Sequence, residues 1–142
     1  MAQVAAVPAK VWSELVTPAH WWNPQHSWSG MADNLTLEPR AGGCFCEKLA
    51  DGGSVRHMEV MFAAPGKVLR LAGALGPLQT EALAGALSFD LAARDGGTQV
   101  TLTYKVGGYS SQPFTMWGPA VDGVLGEQLG RLKRQVETGK SQ

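Results

Sequence analysis

The sequence predicts an α+β fold: a curved antiparallel sheet of six to seven strands, one long C-terminal helix laid across it, and two short helices after a short first strand. Two patterns carry this expectation. Leu87, Phe89 and Leu91 alternate with Ser88 and Asp90, and Val100, Leu102, Tyr104 and Val106 alternate with Thr101, Thr103 and Lys105. Alternation of period two gives each strand one buried face and one wet face. Near the C-terminus, Val121, Leu125, Leu129, Leu132 and Val136 recur at helical spacing and fall within about one third of the helix circumference. A single sheet with helices on one side buries both apolar faces together.

The remaining elements follow in chain order. Only Met1 to Val7 precede the first helix, so the first strand is short or missing. Pro8 suits a first helical turn, and Val11, Trp12, Leu15 and Val16 continue at helical spacing to about Thr17. Thr17-Pro18 restarts the chain as cap and first-turn proline of a second short helix reaching about Trp22. Residues 34–38 alternate as a strand that ends at Pro39 and Gly42-Gly43. Strands are then expected near 43–49, 54–62, 67–73, 82–92 and 98–107. Asp51-Gly52-Gly53, Ala64-Pro65-Gly66 and Asp95-Gly96-Gly97 are the turns between them. Gly123, Gly126 and Gly130 share the polar side of the last helix, where they either admit another chain or are tolerated by a well-packed helix.

A chain of 142 residues fits one domain, 1–142, with a core large enough to need no metal or disulfide. Twelve Lys+Arg balance twelve Asp+Glu without a basic block, which argues against nucleic acid and anionic membrane as partners. No apolar run approaches the ~20 residues of a membrane span, and the first nine residues lack a signal-peptide pattern. Cys44 and Cys46 lie two apart on an expected strand, so they face the same side at roughly 6.5 to 7 Å. That spacing argues against a bridge between them, and free thiols suit a cytoplasmic protein.

Several segments together resemble the SRPBCC or START-like helix-grip superfamily, in the branch of chaperone-ATPase activators and polyketide-cyclase-like proteins. They are Val7-Pro8-Ala9-Lys10-Val11-Trp12, His20-Trp21-Trp22, Arg40-Ala41-Gly42-Gly43, Pro65-Gly66, residues 97–103 and Leu129-x-x-Leu132-Lys133. The resemblance implies a helix-grip fold around a pocket for a hydrophobic ligand, or else a cyclase, hydrolase or chaperone partner. Its members begin with a full first strand, so an edge left open here is closed by a second copy in a homodimer or by a longer N-terminus.

The candidate chemistry concentrates in the hairpin that carries Cys44, Cys46, Glu47 and His57, and its register decides the meaning. A two-residue turn at Asp51-Gly52 sets Cys46 across from His57 and Cys44 across from Glu59. A three-residue loop sets Glu47 across from His57 and leaves the cysteines with Met58 and Val60. The first register admits a nucleophilic Cys46 activated by His57, or a zinc site, although Cys-x-Cys is not a usual ligand spacing. The bland alternative is two buried apolar cysteines. Catalytic candidates are therefore His57, Cys46 and His26, with no cofactor expected and no metal assigned.

The ligand-binding candidates are Trp21, Trp22, His26, Cys44, Cys46, His57, Leu75, Tyr104, Tyr109 and Trp117. The indoles offer apolar area with one donor each, only one of Trp21 and Trp22 being expected to line the cavity. The loop Gly73 to Gln79 suggests a gate, and Tyr104 a buried phenol. The leading function is binding of a small apolar or aromatic molecule, with acid–base or hydrolytic chemistry at His57 as an extension. The alternatives are a protein-interaction module and a zinc- or Cys/His-dependent hydrolase.

Overall fold

Pro8 fixes the first turn of α1 (Pro8–Leu15), which buries Val11 and Leu15. The expected second helix is only a 3-10 turn, Pro18–His20. A second such turn, Pro24–His26, is capped by the Asn23 side chain, which accepts from the Gln25 N–H. The computed structural model describes residues 1–142. Its strands are β1 (Ala2–Val4), β2 (Leu35–Leu37), β3 (Cys44–Lys48), β4 (Ser54–Ala64), β5 (Val68–Ala72), β6 (Ala82–Arg94) and β7 (Gly97–Tyr109). They form one seven-stranded sheet in the order β1-β7-β6-β5-β4-β3-β2, with every neighbouring pair antiparallel.

The turns explain the registers. Asp95 and Gly96 both have positive φ, as the tightest hairpin turns require, so Arg94 pairs with Gly97. Leu87 then meets Tyr104, Phe89 meets Leu102 and Leu91 meets Val100, all on the concave face. The β3–β4 connection is the three-residue loop Ala50–Gly52, and the ladder beside it follows neither expected register, although the Cys44–Glu59 pair expected from a two-residue turn is met farther along. Lys48 pairs with Ser54, Glu47 with Val55 and Cys46 with Arg56, after which Phe45 pairs with Met58 and Cys44 with Glu59. His57 is the extra residue of a β-bulge. A bulge turns consecutive side chains toward one face, and both His57 and Met58 are buried.

Strand β1 is present but brief, pairing Ala2, Gln3 and Val4 with Val100, Gln99 and Thr98. Helix α2 (Phe114–Thr138) holds it, because Lys133 donates to the Gln3 carbonyl and Glu137 accepts from the Ala5 N–H. Leu125, Leu129, Leu132 and Val136 join the sheet residues and α1 in one apolar core. The helix closes at Gly139, whose φ of 76° is the left-handed conformation that caps helix ends. Nothing approaches Gly123 or Gly126 where a Cβ would stand, and only the Arg134 side chain comes near Gly130, so no other element of this chain packs closely on them. No helix is long and apolar enough to cross a membrane.

Candidate functional site

Two cavities flank the N-terminal half of α2, and both are bounded by Trp117, Val121 and Leu125. One, of about 480 Å³, lies against β7, with Leu102, Tyr104 and Val106 in its wall. The other, of about 360 Å³, lies against the β3–β4 bulge, with Trp22, His26, Trp28, Phe45, His57 and Leu75 around it. The polar side chains in the lining of the larger cavity are those of Asp122 and Tyr104. The Tyr104 hydroxyl donates to the Gly73 carbonyl (2.7 Å) and accepts from the Leu75 N–H (3.1 Å). Burial pushes the phenol pKa up, and the Leu75 bond offsets only part of that.

That tyrosine is a strut for the segment 73–80. Its ring lies where a Cβ on Gly85 would stand, 2.7 Å away. Gly73, at φ 154°, approaches the His57 carbonyl so closely that a Cβ there would stand 2.6 Å from it. The segment is therefore tied to both β4 and β7, and Leu75 reaches the smaller cavity from it.

His57, in the lining of the smaller cavity, belongs to a buried acid–imidazole pair. His57 Nε2 is 2.8 Å from Glu47 Oε1, with the imidazole 8% and the carboxylate 0% exposed. Glu47 also accepts from the Trp28 N–H (3.1 Å) and the Ser29 N–H (2.6 Å). Burial by itself would raise its pKa, but the hydrogen bonds from Ser29, Trp28 and His57 outweigh it and hold the carboxyl below its ordinary range. An ionised carboxylate only accepts, so Nε2 carries the proton toward Glu47. Nδ1 of His57 makes no hydrogen bond within the protein, nor is it among the sealed polar atoms that lack a partner. His57 is one of the polar side chains lining this cavity.

The opposite wall is the turn Pro24–His26, clamped to α2 at three points. The Asn23 N–H donates to Gln128 Oε1 (2.9 Å), its side-chain amide donates to Glu127, and His26 Nε2 lies 3.3 Å from Glu127. The Asn23 amide first, and His26 after it, hold the Glu127 carboxyl below its ordinary range. Trp22 closes the floor between these walls. Its ring meets Phe45 edge-on at 5.5 Å, and Phe45 in turn packs on His57 at 5.3 Å.

The predicted residues therefore separate into groups. Trp22, His26, His57, Leu75 and Trp117 converge on the smaller cavity, whereas Tyr104 lines the other. Trp21 does not line either; it is buried in the core, with its indole N–H on the Glu14 carbonyl. Tyr109 is 72% exposed at the end of β7. Cys44 and Cys46 are the larger correction. Phe45 and Glu47 are the buried residues of β3, so alternation places both cysteines on the outer face, away from His57. They are also bonded to each other, with Cα atoms 5.4 Å apart, closer than a regular strand allows. The shared Cys46–His57 site required for thiol catalysis or zinc binding is not assembled. Glu47 is the residue that sequence reasoning undervalued, although it appeared opposite His57 in one of the two registers. Phe45 shares its face, with no comparable signal in the sequence.

A seven-stranded antiparallel sheet gripping a C-terminal helix defines the helix-grip fold, and known structures share it at low sequence identity. No family model and no curated protein matches the chain. The chain is similar to an uncharacterized protein from Rhizobium leguminosarum, with a TM-score of 0.67 and 20% identity over 95% of this chain and 90% of that one. DynU16, from the dynemicin biosynthetic locus, gives 0.65 and 21% over 99% of this chain but 46% of its own, so the present chain spans under half its length. The Aha1 dimer from Colwellia psychrerythraea gives 0.56 and 19% over 98% and 94%. At such identities the common property is the fold.

Proposed function

We propose that this chain binds a small, neutral, largely apolar and partly aromatic molecule in the cavity beside His57, with Nδ1 of that ring as its polar anchor. The observation that carries this reading is the Glu47–His57 pair, whose unpartnered imidazole nitrogen belongs to an otherwise mostly apolar wall. Trp22, Trp28, Phe45 and Trp117 offer aromatic faces for a flat ligand. Neutrality follows from charge. No lysine or arginine lines either cavity, and Glu47 stands behind His57, so a carboxylate ligand would be desolvated without a counter-ion.

The same geometry supports acid–base chemistry. A carboxylate that fixes the Nε2–H tautomer leaves Nδ1 of the neutral ring able to accept a ligand hydroxyl proton, by hydrogen bond or by transfer. His26 is a second polar group across the cavity, steadied by Glu127. Self-association through β7 is a separate reading: its outer edge from Thr101 to Tyr109 has no strand partner, and sedimentation over a range of concentrations tests it.

The ligand reading is tested with 2-naphthol, 2-naphthoate and naphthalene as probes, followed by tryptophan fluorescence. The expected order places 2-naphthol about tenfold or more tighter than 2-naphthoate. His57→Phe should weaken 2-naphthol while sparing naphthalene, and Val124→Trp should abolish both by filling the cavity. Equal binding of naphthol and naphthoate, or undiminished quenching in Val124→Trp, would overturn it.

A further inference from the structure

The outer face of β3 carries a feature that ligand binding does not explain. Cys44 and Cys46 project from it half-buried and joined to each other. Across the ladder, Cys46 meets Arg56 and Thr36, and Cys44 meets Glu59; Arg56, Thr36 and Glu59 are all exposed. Regular strand geometry separates residues two apart by roughly 6.5 to 7 Å, whereas these Cα atoms are 5.4 Å apart. The shortening falls on Phe45, the residue between them, and faces the stretch of β4 that holds the extra residue His57.

On the inner face the same three-residue span supports the acid–imidazole pair. Phe45 packs on His57 and Trp22. Glu47, next after Cys46, bonds His57 and the backbone of Trp28 and Ser29. A change in the length of β3 at Phe45 thus acts on the residues that orient His57, without contact between either sulfur and the cavity.

We propose that Cys44 and Cys46 form a reversible thiol–disulfide site whose two states set the placement of Phe45 and Glu47, and through them of His57. Its redox partner is a low-molecular-weight disulfide. In oxidation, the Cys46 thiolate attacks one sulfur of the small disulfide and releases one thiol. The Cys44 thiolate then displaces the second thiol from the mixed disulfide, closing the Cys44–Cys46 bond. Two electrons pass from the protein dithiol to the small disulfide, which leaves as two thiols, and the protons of the dithiol leave with them. In the reduced state β3 relaxes toward regular strand spacing.

The full chain is equilibrated in reduced and in oxidised glutathione, quenched in acid, alkylated with a maleimide and weighed intact. In parallel, amide and imidazole NMR signals are recorded in both buffers. The expected result is two adducts in the reduced sample and none in the oxidised one, with no disulfide-linked dimer. The Trp28 and Ser29 amide signals and the His57 ring signals should shift between the two states, and Cys44→Ser/Cys46→Ser should keep one spectrum in both buffers. Two accessible thiols, or only glutathione adducts, in the oxidised sample would overturn the site. A closed bond that leaves Trp28, Ser29 and His57 unshifted would overturn the coupling. These readouts need neither the double variant nor a ligand, so failure of 2-naphthol to bind in either state counts against the cavity reading alone.

Discussion

The two halves of α2 present the same kind of apolar stripe to the same sheet, yet one half is buried and the other overhangs a void. From Leu125 onward, Leu129, Leu132 and Val136 pack against α1, β1 and the sheet. Before Leu125, Val121 is half-buried, while Phe114 and Met116 are about half exposed. Pro119 lies in this open half, where its missing N–H and its ring weaken the preceding turn. The contrast separates two uses of an apolar helix face. In the closed half it supplies stability, and in the open half it supplies the wall of a cavity.

Substitutions at equivalent positions of the stripe should break this symmetry. Leu132 is fully buried, so Leu132→Ala is expected to lower unfolding free energy by about 2–5 kcal/mol. Val121→Ala, in the open half, should lower it by less than about 1 kcal/mol while weakening 2-naphthol. Urea unfolding and probe titration of both variants check the comparison; equal losses of stability would show that the two halves are packed alike.

A smaller effect is expected at Glu47, which fastens the open end through hydrogen bonds rather than apolar packing. Its folded pKa is depressed, so its contribution is present above the ordinary carboxyl range and is lost as pH falls through the folded value. Glu47→Gln keeps the shape but turns an amide group toward the donors of Trp28 or Ser29. It should cost about 1–3 kcal/mol at neutral pH. It should also flatten the acid limb of stability against pH; an acid limb identical to wild type would show that Glu47 is not held ionised by these donors.

The smallest effect concerns the strut beside the larger cavity. Tyr104→Phe removes the bonds to Gly73 and Leu75 and should lower global stability by about 1 kcal/mol. Hydrogen exchange should accelerate selectively at residues 75–80. Uniform acceleration throughout the sheet would mean that Tyr104 supports the core rather than that segment.

The stripe in α2, the β6–β7 hairpin and the order of elements were legible because each depends on local periodicity or turn chemistry. The second short helix starts where Thr17-Pro18 signals it, but it is a 3-10 turn, Pro18–His20, that stops short of the expected end near Trp22. The site was less legible for a different reason. Cys46 and His57 are paired only if one register runs uniformly from the turn, whereas the ladder beside the turn is offset by one residue and returns to the expected Cys44–Glu59 pair only past the bulge at His57. Trp21 and Trp22 are adjacent and chemically alike, so only packing against Phe89 on one side and Phe45 on the other distinguishes the core indole from the cavity indole.

By itself, the sequence determined a curved antiparallel sheet against a C-terminal helix, because hydrophobic periodicity and turn residues act within a few positions of each other. It also marked His57 and the Trp22 segment as candidates by their residue types. Only the tertiary structure decided that Glu47 rather than Cys46 is the partner of His57, that the cysteines bond on the opposite face, and that half of α2 spans a cavity. Each depends on the pairing of distant strands and on what fills the space between sheet and helix, neither of which local pattern encodes.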